Sequence, residues 1–366
     1  MNSKINKIII ATGGTGGHVF PAYSLAKHFL ENKINVEIIS DKRGSKYLQD
    51  YNDIKVIKIN SSTIFKKNII QMLLSTFIIF YSALRSFFFL LKDRPNLVFG
   101  MGGYSSFPVC IAAKILRIPF IIYENNLYIG KANKYLLPYA KKIFISYEEL
   151  QGINKKYQKK IRVTGNIIRK EILNFEVKSD SKETYEKLKI LILGGSQAAK
   201  IFAEKLPKIF KECKDAEISF KIYQQCLPEQ NKFLTSFYED LNIDFEIFNF
   251  TNNILNYFSK INLAITRSGS SMLAELINAK IPFISVPLPS SADDHQLKNA
   301  IHYEKNGYSY LIEEKDLNTK LFLLIKKISE DISLLSQIIM KQRQHSDKSV
   351  YENIDKQINK IINEKY

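Results

Sequence analysis

Short aliphatic runs recur along the chain, and the stretches between them carry the spacing of amphipathic helices. The runs at residues 7–11, 35–39, 55–59, 97–99, 120–123 and 142–145 are rich in Ile, Val and Phe and too short for helices, so they read as buried strands. Helices fit between them at 21–31, 69–91, 106–116 and 131–137. A turn-rich crossing through Arg162-Val163-Thr164-Gly165-Asn166 follows, and then a polar, linker-like segment at 180–186. A second series opens at 188–193 and continues at 218–223, 245–248, 263–266, 283–286 and 309–312, with a helical pattern from 317 to 366. Strands alternating with helices predict parallel sheets. The expected class is therefore α/β, with two Rossmann-like doubly wound domains facing a cleft. They would span residues 1–163 and 164–345, and a terminal helix at 346–366 would pack back on the first domain.

The glycines fall where such a fold binds ligands, at the carboxyl ends of strands. Gly13-Gly14-Thr15-Gly16-Gly17-His18 follows the first run and opens a helical pattern that begins near Phe20-Pro21. Glycine lets the backbone approach an anion closely, and the first N–H groups of a helix point at it. One such loop is as readily a plain turn as a phosphate site. The device recurs, however, at Gly100-Met101-Gly102-Gly103-Tyr104-Ser105-Ser106, at Gly194-Gly195-Ser196-Gln197 and at Arg267-Ser268-Gly269-Ser270-Ser271. Repetition in both halves points to two phosphate-bearing ligands, one per half. A nicotinamide site is disfavoured, because residues 13–17 lack GxGxxG spacing and Asp41 alone is a weak match for the ribose carboxylate.

Composition adds charge and a membrane-like stretch to this picture. The formal net charge is +17, which favours anionic partners, although a Lys-, Ile- and Asn-rich composition accounts for part of it. No RNP, zinc-finger or basic-zipper pattern is present, so nucleic acid is not expected as a partner. Cys110, Cys213 and Cys226 form no CxxC pair and imply neither a disulfide framework nor a zinc site. The chain opens directly on a strand without a signal-peptide pattern.

Residues 69–91 are long and apolar enough to cross a bilayer. Gln71, Ser75, Ser82 and Arg85, and the strand that follows, speak against crossing. Two readings remain: a greasy helix packed wholly in the core, or a helix lying in a membrane interface between Lys66, Lys67, Lys92 and Arg94.

Taken together, the motifs resemble the MurG family, the peptidoglycan glycosyltransferases that add N-acetylglucosamine to lipid I. The resemblance rests on residues 11–21, Gly100-Met101-Gly102-Gly103-Tyr104, Glu124-Asn125-Asn126 and Gly165-Asn166-Ile167-Ile168-Arg169 in the first half of the chain. In the second half it rests on Gly194-Gly195-Ser196-Gln197, Arg267-Ser268-Gly269 with Glu275, and His295-Gln296 with Asn299. It implies a GT-B fold, with the acceptor in the first domain and UDP-N-acetylglucosamine (UDP-GlcNAc) in the second, and inverting transfer that gives lipid II. No cofactor and no bound metal are implied. The chain also lacks DxD, and Asp293-Asp294-His295 reads as carboxylates favouring a helix start.

Roles carried over from the resemblance are as follows. His18 is the catalytic base for the acceptor's 4-hydroxyl, or alternatively an orienting or phosphate-contacting residue at a helix start. Gly13, Gly14, Gly102, Gly103, Tyr104 and Glu124 are expected to bind the acceptor and its pyrophosphate. For UDP-GlcNAc the expected contacts are Thr15, Gly16, Gly17, Asn126, Arg169, Ser196, Thr251, Ser270, Ser271, Met272, Leu273, Ala274, Glu275, Gln296 and Asn299. Among these, Arg169 and Ser196 would offset or cradle the leaving diphosphate, Glu275 would accept from ribose hydroxyls, and Gln296 with Asn299 would hold the sugar. Phe250-Thr251 would border the nucleoside.

The implied partners are UDP-GlcNAc, polyprenyl-pyrophosphate-linked lipid I and an anionic membrane surface met by residues 69–91. The implied location is peripheral, on the cytoplasmic face of the bacterial inner membrane. The sequence departs from the family pattern at Asn125 (usually Gln), Ile167 (usually Pro) and Ala198 (usually Gly). Two alternatives stay open: a related GT-B enzyme with another lipid acceptor such as diacylglycerol, and a non-catalytic nucleotide-sugar-binding membrane protein.

Overall fold

A computed structural model describes residues 5–62, 68–175, 187–249, 251 and 253–363, with the backbone alone at 195–199. The chain divides into two compact units. Unit 1 is Met1–Lys170 with Asp347–Tyr366, and unit 2 is Glu171–Ser346. The polar segment 180–186, Lys66, Lys67 and Phe250 lie outside the described residues, as do the side chains of Ser196, Gln197 and Ala198.

Unit 1 is built on strands β1 (Lys7–Thr12), β2 (Asn35–Asp41), β3 (Lys55–Ile59), β4 (Leu97–Gly100), β5 (Phe120–Glu124), β6 (Lys142–Ile145) and β7 (Ile161–Val163). All pair in parallel, in the order β3-β2-β1-β4-β5-β6-β7. The helices between them are α1 (Gly16–Glu31), α2 (Lys42–Lys46), α3 (Ile69–Lys92), α4 (Gly103–Ile115) and α5 (Lys131–Leu136). Unit 2 repeats the plan with β8 (Leu188–Leu193), β9 (Phe220–Gln225), β10 (Asp244–Phe248), β11 (Leu263–Thr266), β12 (Phe283–Ser285) and β13 (Tyr310–Leu311), ordered β10-β9-β8-β11-β12-β13.

Helix α6 (Lys170–Leu173) precedes that sheet, and α7 (Gly195–Asp215), α8 (Asn231–Asp240), α9 (Leu255–Phe258), α10 (Ser270–Asn278), α11 (His295–Lys305), α12 (Leu317–Glu330) and α13 (Ser333–Gln342) connect or follow its strands. Helix α14 (Val350–Asn363) belongs to unit 1. The central strands are apolar on both faces, as parallel strands covered by helices must be: Ile8, Ile9 and Ile10 in β1 and Ile190, Leu191 and Ile192 in β8 are all fully buried.

In each sheet the strand order reverses beside the first strand of the unit. Connections on either side of that point leave in opposite directions and open a crevice. The loops after β1 and β4 flank the reversal in unit 1, and those after β8 and β11 flank it in unit 2. The four glycine loops of the sequence thus fall pairwise at the two switch points.

Local differences from the expected elements have identifiable causes. The crossing at 162–166 begins as a seventh strand, because Ile161, Arg162 and Val163 pair with Ile143, Phe144 and Ile145 at the sheet edge. Helix α1 starts at Gly16, not at Pro21, so His18 sits in its first turn and Pro21 lies inside it. A proline there lacks the N–H that would bond the carbonyl four residues back. Asn125 Nδ2 donates to that carbonyl, Gly17 O, at 2.9 Å.

Helix α3 overturns the packed-core reading of 69–91. Its buried residues are Ser75, Ser82, Ser86 and Leu90. Ser62 Oγ donates to Ser75 Oγ at 2.9 Å and Ser82 Oγ donates to Asn60 O at 2.7 Å. The apolar face points outward instead, with Ile69, Phe77, Phe80 and Phe88 each at least 60% exposed. Phe87 is half-buried and packs against the unit 1 core, so it does not belong to the outward face.

Helix α14 has the opposite polarity. Val350, Tyr351, Ile354 and Ile358 are buried. Tyr351 Oη donates to Ile168 O at 2.6 Å, and His28 Nε2 meets Asp355 Oδ2 at 2.9 Å. Asp347, 4% exposed, accepts from Asn166 N at 2.8 Å and from Asn166 Nδ2 at 3.1 Å. These bonds knit the terminal segment to α1 and to the 164–168 crossing within unit 1.

Candidate functional site

In unit 1 the loops after β1 and β4 meet at His18. Gly102 and Gly103 have φ of +84° and +72°, which favours glycine. A Cβ on Gly102 would stand 3.2 Å from His18 Cε1, and one on Gly103 3.5 Å from His18 Cδ2, so the imidazole lies against a surface that only glycine leaves open. The backbone of His18 is fixed on the other side, where Thr12 Oγ1 donates to His18 O at 3.0 Å. Thr15 is the N-cap residue of α1 with its side chain exposed, and Gly16 and Gly17 form the first turn. Tyr104 is half-buried in the first turn of α4.

Beneath the first loop sits Asp41, at the carboxyl end of β2 and 3% exposed. Its Oδ1 accepts from Gly14 N at 3.0 Å and Gly44 N at 2.7 Å, and its Oδ2 accepts from Ser61 Oγ at 2.8 Å. Burial pushes its pKa up, but the Gly14 and Gly44 N–H groups and the Ser61 and Ser105 hydroxyls outweigh burial and hold the carboxyl below its ordinary range. A Cβ on Gly13 would collide with Ser105 Oγ and stand 2.8 Å from Asp41 Oδ1, so glycine is required at 13 by close packing. Asp41 thus has a structural task in place of the ribose contact a dinucleotide site would give it.

Glu124 is 2% exposed and organises the next loop. Oε1 accepts from Asn126 N at 3.1 Å and Asn126 Nδ2 at 3.0 Å, while Oε2 accepts from Gly130 N and Asn133 Nδ2, both at 2.9 Å. The carboxylate is fully engaged by the protein, so its bearing on a ligand runs through the residues it holds. Asn125 reaches Gly17 O despite being a methylene shorter than glutamine. Ile167 N donates to Tyr123 Oη at 3.0 Å, a bond that proline at 167 could not make. Arg169 is half-buried just before α6.

In unit 2, Gly194 caps α7, and the backbone through Ala198 is helical, so alanine there meets no positive φ. Arg267 is 7% exposed. Its Nη1 donates to Val286 O at 3.3 Å and Pro287 O at 3.1 Å, its Nη2 pairs with Glu314, and its guanidinium lies 5.1 Å over the Phe202 ring. Arg267 therefore clamps the ends of β11 and β12 to the turn before α12.

Of the residues expected around the nucleoside, Ser270 and Glu275 are buried on α10, and Ser271 and Met272 are half-buried. The side chains of Leu273 and Ala274 are fully buried, which leaves only their backbone for a ligand. Thr251 Oγ1 accepts from Asn253 N at 3.1 Å. Gln296 Oε1 accepts from Leu288 N at 3.0 Å, and Asn299 Nδ2 donates to Ser268 O at 3.4 Å. Asp293 and Asp294 both adopt positive φ, +51° and +55°, ahead of α11.

Comparisons with known proteins fit this geometry. The glycosyltransferase family 28 N-terminal domain matches residues 8–145, and the family 28 C-terminal domain matches residues 189–358. A Pelagibacter ubique protein named UDP-N-acetylglucosamine--N-acetylmuramyl-(pentapeptide) pyrophosphoryl-undecaprenol N-acetylglucosamine transferase is 34% identical, over 98% of this chain and 99% of its own length. A protein of the same name from Rickettsia bellii is 33% identical over 97% of this chain and 100% of its own. The crystal structure of Acinetobacter baumannii MurG superposes with a TM-score of 0.79 at 25% identity, covering 98% of this chain and 100% of that one. The chain belongs to glycosyltransferase family 28 and, within it, to the MurG family of N-acetylglucosamine transferases, and its fold is GT-B.

Proposed function

From that membership as premise, we propose that the protein transfers N-acetylglucosamine from UDP-GlcNAc to the 4-hydroxyl of the N-acetylmuramyl sugar of lipid I, with inversion. The product is lipid II. In a single displacement the acceptor oxygen bonds to the anomeric carbon while the bond from that carbon to the β-phosphate oxygen breaks, and UDP leaves with the electron pair. The proton of the 4-hydroxyl goes to His18. The observation that carries this reading is His18 itself, a titratable group held where two glycine loops converge, in a chain that matches the named transferases along nearly its whole length.

The remaining roles follow the same reading. Thr15, Gly16 and Gly17 offer first-turn N–H groups, Arg169 offsets charge on the departing diphosphate, and Asn126 is oriented by Glu124. In unit 2 the N-terminus of α7 takes phosphate, Glu275 takes the ribose hydroxyls, and Gln296 with Asn299 takes the sugar. The Gln296 carbonyl oxygen is occupied by Leu288 N–H, so its amide presents N–H donors to a hydroxyl. The charge on the leaving group is met by Arg169 and backbone amides, so the transfer needs no bound metal and EDTA is expected to leave the rate unchanged.

Helix α3 supplies the contact with the membrane that a polyprenyl-anchored acceptor requires. Its hydrogen-bonded serine stripe faces the protein and its aliphatic and aromatic face is exposed, with Arg85, Lys92 and Arg94 also exposed. That polarity suits a helix lying in the interface of an anionic leaflet. Each outward aromatic contributes about 1.5–3 kcal/mol if fully buried in lipid. Serine at Phe77, Phe80 and Phe88 should abolish cosedimentation with anionic vesicles in a folded variant, and unchanged cosedimentation would refute the contact.

The transfer itself is tested by incubating wild-type protein with UDP-GlcNAc and either a soluble lipid I analogue or diacylglycerol. Product with the lipid I analogue alone is expected. Product with diacylglycerol alone would assign the chain to another acceptor, and no product with either would favour a binding role.

A further inference from the structure

We propose that Arg43 is a further acceptor-side residue, the cation that takes the diphosphate of the lipid-linked substrate over the first glycine loop; this rests on the transfer reading above. A loop that binds an anion through its amides is weakened when a carboxylate lies beneath it and occupies one of them. Asp41 does both, since it is buried, its carboxyl is held in the ionised range, and its Oδ1 takes the Gly14 N–H. A negative group can settle on this loop only if that charge is offset nearby.

Arg43 stands where the offset is needed. Its Nη2 is 3.7 Å from Asp41 Oδ2 and 3.9 Å from the point a Cβ on Gly14 would occupy, while the side chain is 71% exposed. A separation of 3.7 Å is an ion pair without a hydrogen bond. Among the described residues nothing hydrogen-bonds the guanidinium. Charge therefore holds Arg43 at the loop while its planar set of N–H donors stays available, and that set matches two phosphate oxygens.

The turn after β2 explains the placement. Asp41 caps the first turn of α2 by accepting from Gly44 N, and the turn packs so closely on the first loop that a Cβ on Gly44 would stand 2.8 Å from Gly13 Cα. The carboxylate is thereby turned inward under the loop and the guanidinium two residues later outward beside it.

The test is steady-state kinetics of wild type, Arg43→Ala and Arg43→Lys with UDP-GlcNAc and two soluble acceptor analogues, one a diphosphate and one a monophosphate. In Arg43→Ala the KM for the diphosphate acceptor should rise about 10- to 100-fold, the loss of one or two charge-assisted hydrogen bonds. The KM for UDP-GlcNAc should stay at its wild-type value, and preference for the diphosphate over the monophosphate should collapse. Arg43→Lys should recover part of the acceptor affinity. An unchanged acceptor KM in an active Arg43→Ala enzyme would overturn the proposal, as would a loss that falls equally on the donor. Absence of transfer by wild-type protein would overturn the transfer reading and this proposal with it, so the two failures are distinguishable.

Discussion

The two units share one strand order up to the seventh strand of unit 1, and their buried charged side chains tether loops with opposite polarity, while Thr12 and Asn125 also hold carbonyls in unit 1. In unit 1 buried carboxylates collect backbone N–H groups: Asp41 takes those of Gly14 and Gly44, and Glu124 takes those of Asn126 and Gly130. In unit 2 buried donors collect backbone carbonyls, with Arg267 on Val286 and Pro287 and Asn299 on Ser268. Holding carbonyls leaves amides for a ligand, which suits a nucleotide diphosphate. Holding amides consumes some of the donors an anion would use and places negative charge below the loop. Unit 1 therefore depends more on side chains, His18 and Arg43 among them, than its glycines alone suggest. A shared strand order does not give identical electrostatics.

The contrast is open to attack at each tether. The largest effect is expected for Asp41→Ala, which leaves the Gly14 and Gly44 amides and the Ser61 hydroxyl without their acceptor and should cost about 3–5 kcal/mol. For a unit of this size that lowers Tm by about 10 °C. Because the Asp41 carboxyl is held low in the folded protein, its contribution is present above the unfolded carboxylate pKa and is lost as pH falls through the folded value. Acid unfolding monitored by near-UV circular dichroism should thus have a shallower limb in Asp41→Asn than in wild type. A parallel acid limb would remove Asp41 as an ionised tether.

Arg267→Ala comes next, at about 1.5–3 kcal/mol, since Glu314 is partly exposed and can be resolvated. Hydrogen exchange should localise its effect to the loops after β11 and β12 and leave the loops after β1 and β4 protected. Spread of the loss to the unit 1 loops would mean the tethers are not separate.

The smallest effect concerns Asn125. Its removal in wild type takes from Gly17 O the donor at 125, at a cost of about 1 kcal/mol, but in a Pro21→Ala background the new N–H at 21 can bond that carbonyl. A double-mutant cycle should therefore show a coupling of about 1 kcal/mol, measured by denaturant unfolding. No coupling would show that Asn125 does not stand in for the missing helical bond.

How much of this was legible in the sequence depends on the reach of each cause. Gly102 and Gly103 were legible because a backbone with positive φ demands glycine locally. The alternating pattern gave the sheets, since fully buried strands such as 8–10 and 190–192 leave unbroken apolar runs. The strand Ile161–Val163 overlaps the turn-rich crossing at 162–166 because three residues carry no period, and only its pairing with β6 defines it. Proline favours a first turn, so the pattern points to a helix start at Pro21, while the residue that makes an interior proline tolerable lies at 125.

From sequence Asp41 stands out only as a weak match to a cofactor's ribose carboxylate, since nothing local says that a carboxylate ending β2 will turn under a glycine loop. The serines at 75, 82 and 86 lie on one helical face, yet hydropathy alone could not say that this face turns inward.

The central claim is transfer with His18 as the base, and the rate of N-acetylglucosamine transfer to a soluble lipid I analogue by wild type and by His18→Ala tests it most directly. Wild type should turn over, and His18→Ala should lose about 10²- to 10⁴-fold in kcat with the KM for UDP-GlcNAc retained. Full activity in His18→Ala would contradict the account.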